Sequence, residues 1–204
     1  QVRQTDVAGN VSGATTYSFT LDATAASAPG VGLSSDTGSS TTDKLTNLGM
    51  LNVMGVEAGA KVEYSIDGGK TWSMSYSAVE GLNTVQVRQT DIAGNVSAAT
   101  TYSFTLDTVS SAPVVVLSSD TGTSSSDTIT KTGTLNVTGV ESGAKVEYST
   151  DNGATWKTTF SAVEGLNSVQ VRQTDTAGNV SGATTYSFTL DATAASAPGV
   201  GLSS

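Results

Sequence analysis

Twelve aspartates are the residues of this chain best suited to chemistry, and they recur at matching places along it. Asp36 and Asp120 open the turn-rich stretches "DTGSSTTD" and "DTGTSSSD", which Asp43 and Asp127 close. Asp6, Asp91 and Asp175 stand in "TDxAGN", and Asp22, Asp107 and Asp191 end "FTLD". Asp67 and Asp151 sit in "SIDGGKTW" and "STDNGATW". Carboxylates beside glycine-rich loops with accessible carbonyls form a hard-oxygen donor set. Such a set suits Ca2+, which takes roughly six to eight oxygens, better than Zn2+ or Cu2+. The chain has no Cys and no His, so thiolate ligands, imidazole ligands and the usual general base are all missing. The same aspartates also suit Asx-turns and loop caps. The spacing does not match an EF-hand loop.

An internal repeat positions these residues. "QVRQTD" begins at Gln1, Gln86 and Gln170, and Pro29, Pro113 and Pro198 keep the same rhythm. A unit of about 84 residues is too long for a solenoid turn or propeller blade and suits a small autonomous domain. Residues 1–35 and 170–204 align without a gap and differ only at Val7 against Thr176. The expected organisation is a window on a longer array. It comprises the last two strands of a preceding repeat (1–22), a linker (23–27), a repeat (28–107), a linker (108–111), a repeat (112–191), a linker (192–197) and the first strand of a following repeat (198–204). A lone hairpin is marginal in water. Residues 1–22 are therefore expected to fray or to pair with another chain unless the array continues upstream.

Within a unit the apolar residues alternate with period two. Val146 and Tyr148 oppose Lys145, Glu147 and Ser149. Tyr186, Phe188 and Leu190 share one face, and turn signals such as "DNG", "EGLN" and "TAGN" separate the runs. No helical period is present. The expected fold is all-β: tandem Ig-like β-sandwich domains of about seven strands each, in an elongated array. Trp72 and Trp156, one per unit, are expected to anchor the core. Glu63 and Glu147 are expected on the solvated face. Because successive antiparallel strands alternate direction, Asp36, Asp43 and Asp107 of one unit should face Asp175 of the next. Asp22, Asp91, Asp120, Asp127 and Asp191 are their counterparts. Carboxylates gathered at one junction repel unless a cation sits among them, so Ca2+ is the expected metal.

In this order "SSDTGTSSSDTIT", "GTLNVTGVESGAKVEYSTDNGATW", "VQVRQTDTAGNVS" and "FTLD", followed by a proline-containing linker, resemble the bacterial Ig-like repeats of giant, type I-secreted RTX-type adhesins and biofilm-associated surface proteins. The resemblance covers the whole chain. It implies an extracellular stalk on the bacterial cell surface that holds an adhesive tip, often with Ca2+ at domain junctions.

Composition narrows the remaining classes. The net charge is -9 with no basic run, which argues against nucleic acid and anionic membranes. No apolar stretch approaches the ~18 residues of a membrane span. "SIDGGKTW" and "STDNGATW" resemble the Asp-box of sialidase propellers. Yet the only arginines, Arg3, Arg88 and Arg172, are copies of one repeat position and cannot converge on a substrate carboxylate. No catalytic residue is assigned. The expected partners are neighbouring repeats of the same chain, with chain-to-chain association possible and a host or biofilm ligand at a tip not present here. A repeated glycan- or protein-binding module and a self-associating matrix filament are the alternatives.

Overall fold

The computed structural model describes residues 1–201. They form twelve strands and, among the described residues, no helix: β1 (Gly30–Leu33), β2 (Leu45–Thr46), β3 (Leu51–Met54), β4 (Lys61–Ser65), β5 (Gly81–Thr90), β6 (Thr100–Leu106), β7 (Val114–Leu117), β8 (Ile129–Thr130), β9 (Leu135–Thr138), β10 (Lys145–Ser149), β11 (Gly165–Thr174) and β12 (Thr184–Leu190). The protein is all-β, with four sheets: β1-β3, β2-β6-β5-β4, β7-β9 and β10-β11-β12-β8. No sheet mixes strands of the two sequence repeats. Each repeat thus has six strands where about seven were expected. The missing one is reduced to single-residue bridges, Tyr64 with Ser73 and Tyr148 with Lys157.

Contacts divide the chain into two compact units. One comprises Gln1–Val31, Val53–Tyr76 and Val85–Thr101; the other comprises Gly32–Asn52, Ser77–Thr84 and the chain from Tyr102. The division falls inside β1, β3, β5 and β6, so it does not follow the sequence period.

In the second unit β11 is the central strand. It pairs antiparallel with β10 and β12, and β8 runs parallel to β12. The period-two pattern acts as the sequence requires: Val169 and Val171 are fully buried and pack with Val115 of β7, while Ser168, Gln170 and Arg172 face away. Two polar residues share the inward face, and each is hydrogen-bonded, as burial demands. Asn167 receives the Val163 amide and donates to the carbonyls of Val163 and Gly165. Gln173 receives the Glu141 amide and donates to the carbonyls of Ser111 and Gly139. In the first unit β4 pairs with β5, Val85 and Val87 are fully buried, and Gln89 repeats the Gln173 pattern on Glu57, Ser27 and Gly55.

Residues 1–22 hold their hairpin by two bridges, Val2 with Thr15 and Thr5 with Val11. Their apolar face is open, with Tyr17, Phe19 and Leu21 each more than 70 % exposed. Residues 198–201, part of the strand expected over 198–204, carry no strand. Residues 202–204 lie outside the described residues.

Candidate metal centre

Three carboxylates converge in the second unit. Asp107 follows β6 directly, Glu141 lies between β9 and β10, and Asp175 follows β11. One ligand oxygen from each lies within 4.8 Å of the others. By sequence, Asp107 belongs to the first repeat, and Glu141 and Asp175 belong to the second.

Backbone hydrogen bonds place all three. The Asp107 amide donates to the Thr46 carbonyl at 2.9 Å, which carries the β2–β6 pairing one residue further. Asp175 is buried and caps its own turn: Oδ1 accepts the Asn179 amide and Oδ2 accepts the Asn179 side-chain amide, both at 2.8 Å. Asn179 Nδ2 also donates to the Asp107 carbonyl at 2.8 Å. Glu141 Oε1 accepts the Ser111 amide at 2.9 Å and so holds the linker.

No salt bridge reaches these three carboxylates among the described residues; the ion pairs of the fold involve Glu63 and Glu147. At this spacing mutual repulsion is on the order of a few kcal/mol per pair near a protein surface. All donors are hard oxygens, and neighbouring carbonyls and water can extend the set. The group therefore fits Ca2+.

The sequence pairing of Asp107 with Asp175 is present in this cluster. Asp36 and Asp43 are not in it. Asp36 Oδ2 accepts the Lys44 amide at 3.0 Å and Asp43 Oδ1 accepts the Leu45 amide at 3.1 Å. Asp120 and Asp127 do the same for Thr128 and Ile129. The other oxygen of Asp36, and that of Asp120, is shielded from solvent without a hydrogen-bond partner. The loop from Asp36 to Asp43 still approaches the expected turn: Thr37 Oγ1 donates to the Ala177 carbonyl at 2.7 Å and the Ser39 amide to the Thr176 carbonyl at 3.1 Å. Asp22 and Asp191 cap the amides two residues on. Asp91 and Asp6 repeat the Asp175 turn on Asn95 and Asn10, whose side-chain amides hold both carboxyls below the ordinary carboxylate range.

Glu141 was missed by the sequence reading. Its signal was the repeat itself, since Glu57 occupies the same place in "GVEAGAKVEY" as Glu141 in "GVESGAKVEY". Asp22, Glu57 and Asp91 do not form an equivalent cluster. The linker there is one residue longer between its aspartate and its proline, and the Asn95 bond to the Asp22 carbonyl stretches to 3.2 Å.

The two tryptophan hairpins have a different geometry. Asp67 Oδ1 accepts from Ser65 Oγ and from the Lys70 and Thr71 amides, while Oδ2 accepts from Thr71 Oγ1. Asp151 is held likewise by Ser149 and Thr155. Both carboxyls lie well below the ordinary range, chiefly through the threonine hydroxyls, Asp151 at about 2. The tryptophans do not enter the core. Each indole N–H turns back to the carbonyl of Gly69 or Gly153, and its ring lies half-buried with the Arg88 or Arg172 guanidinium 4.0 Å from its centre. These arginines alternate with the buried valines of β5 and β11, so the stack lies on the outer face. Glu63 and Glu147 are correspondingly paired with arginine, not freely solvated, and Glu147 is 9 % exposed.

The BNR/Asp-box repeat model matches residues 63–74 and 147–158, the same two hairpins. No curated protein matches the chain.

Proposed function

We propose that this chain is an extender segment of a large bacterial cell-surface adhesin or biofilm fibre. In this reading tandem Ig-like sandwiches form an extracellular stalk, and Ca2+ at the junctions stiffens it. The carrying observation is the Asp107, Glu141 and Asp175 cluster, which draws ligands from both sides of the 108–111 linker. These three residues would hold the ion, with carbonyls and water completing the shell. Bound there, Ca2+ would neutralise the carboxylates and tie the linker's two sides together. The orphaned oxygens of Asp36 and Asp120 favour a further cation in those loops. The Asp-box carboxylates are committed to their own turns, which supports a structural role over a catalytic one.

Small-angle scattering and thermal melting in Ca2+ and in EDTA test the reading. Ca2+ should raise the melting temperature and increase the maximum dimension. An unchanged dimension and melting temperature would remove the metal from the proposal.

A further inference from the structure

The turn formed by Asp175, Thr176, Ala177, Gly178 and Asn179 is read almost wholly through its backbone. Thr37 and Ser39 take the carbonyls of Ala177 and Thr176, and Asn179 takes the carbonyl of Asp107. Gly38 lies so close that an added Cβ would sit 2.0 Å from the Thr176 carbonyl oxygen, so no other residue fits there. Backbone recognition is indifferent to the third position of T-D-x-A-G-N, which is Val7, Ile92 and Thr176 in the three copies.

The second repeat carries the same contact set. Thr121, Gly122 and Thr123 correspond to Thr37, Gly38 and Ser39, and Asp191 corresponds to Asp107. Thr121 Oγ1 keeps the bonds to Thr130 and the Lys131 amide that Thr37 makes to Thr46 and Asn47, yet among the described residues no carbonyl accepts from it. Gly122 has nothing within 4 Å of its would-be Cβ, and the Asp191 amide bonds the Thr130 carbonyl as Asp107 bonds Thr46. Residues 192–201 duplicate residues 23–32, the linker and the opening residues of the first repeat.

We infer that Thr121, Gly122, Thr123 and Asp191 form a docking face for the T-D-x-A-G-N turn of a further repeat in the same polypeptide, a latch that needs no metal. The inference rests on the tandem-array reading, but not on its Ca2+.

The test uses the 204-residue chain lengthened by a second copy of residues 108–191 placed after Asp191. The protein has no cysteine, so engineered pairs report cleanly. Ser39→Cys with Thr176→Cys is the reference pair. Thr123→Cys with the Thr176→Cys counterpart in the added copy is the test pair, and Thr123→Cys with the Asn152→Cys counterpart is the control. In EDTA the test pair should form its disulfide within one chain at a rate close to the reference and at least tenfold above the control. A rate no higher than the control overturns the inference. A disulfide formed mainly between chains also overturns it, because the occupant is then a second molecule. Gly122→Val should slow the test pair at least tenfold and leave the reference pair unchanged. Loss of the Ca2+ response with the disulfide retained would remove the metal proposal alone.

Discussion

The Asn179 side-chain amide donates at once to the Asp175 carboxylate and to the main-chain carbonyl of Asp107, each at 2.8 Å. One amide therefore rigidifies the turn that presents Asp175 and ties it to the strand end of the preceding repeat. Asn179→Ala should loosen both, at a cost of about 1–3 kcal/mol for losing a charge-assisted bond and leaving a carbonyl unpaired. Amide exchange at Ser111 and protease cleavage within 108–111 should both accelerate. Unchanged exchange at Ser111 would show that Glu141 and Gln173 hold the linker without Asn179.

The hairpin aspartates set an acid limb on stability. The folded pKa of Asp151 is about 2, against 3.8 for the ordinary group, mainly through the Thr155 hydroxyl. Because the folded value is depressed, the contribution is complete above the ordinary value and is lost as pH falls from about 4 to 2. Asp67 shifts in the same direction. Thr155→Val should move the Asp151 carboxyl titration upward and flatten its share of the acid limb. Carboxyl NMR titration checks this directly, and an unmoved midpoint contradicts it.

The all-β fold and the turns were legible in the sequence because period two and glycine-rich punctuation are local signals. "SVQVRQT" placed Val169 and Val171 inward without reference to any other segment. The pairing of Asp107 with Asp175 was legible because strand alternation fixes which loops share a pole. What failed depended on side-chain geometry. Trp156 was expected in the core, yet its indole N–H finds the Gly153 carbonyl and its ring finds Arg172, a competition that apolar patterning does not record. Asp36 was expected in the cluster, but one of its oxygens accepts the amide of Lys44, a residue held at a φ of 61°. Glu141 was passed over because its strand-connecting turn carries no second acidic residue.

Trp156→Ala separates the outer-face stack from a core anchor. A cation–π contact of a partly exposed ring is worth about 0.5–2 kcal/mol, whereas a buried tryptophan deletion costs about 3–5 kcal/mol. Urea unfolding should place Trp156→Ala in the lower range. Val171→Ala, at a fully buried position, should cost at least as much despite removing far fewer atoms. Arg172→Ala should be more harmful than Arg88→Ala, since it leaves the 9 % exposed Glu147 with only Lys145 as a partner. A tryptophan loss near 5 kcal/mol would contradict the outer-face placement.

Metal removal tests the cluster most directly. If Ca2+ binds only the folded junction, a free concentration 100-fold above its dissociation constant adds about 2.7 kcal/mol, a large share of the stability of a domain of this size. Asp175→Asn and Glu141→Gln remove one charge each while keeping the shape. Both should lower the Ca2+-dependent gain in melting temperature. Asp175→Asn turns an amide N–H toward Asn179 and loses a turn bond in either buffer. Glu141→Gln keeps an oxygen for the Ser111 amide, so it should also relieve repulsion in EDTA and lie above the parent without metal and below it with metal. That crossing of the two melting series distinguishes a ligand from a turn-former. A merely structural aspartate would lower the melting temperature equally in both buffers. Asp43→Asn supplies the comparison, since its carboxylate caps the Leu45 amide outside the cluster; it should shift both series together.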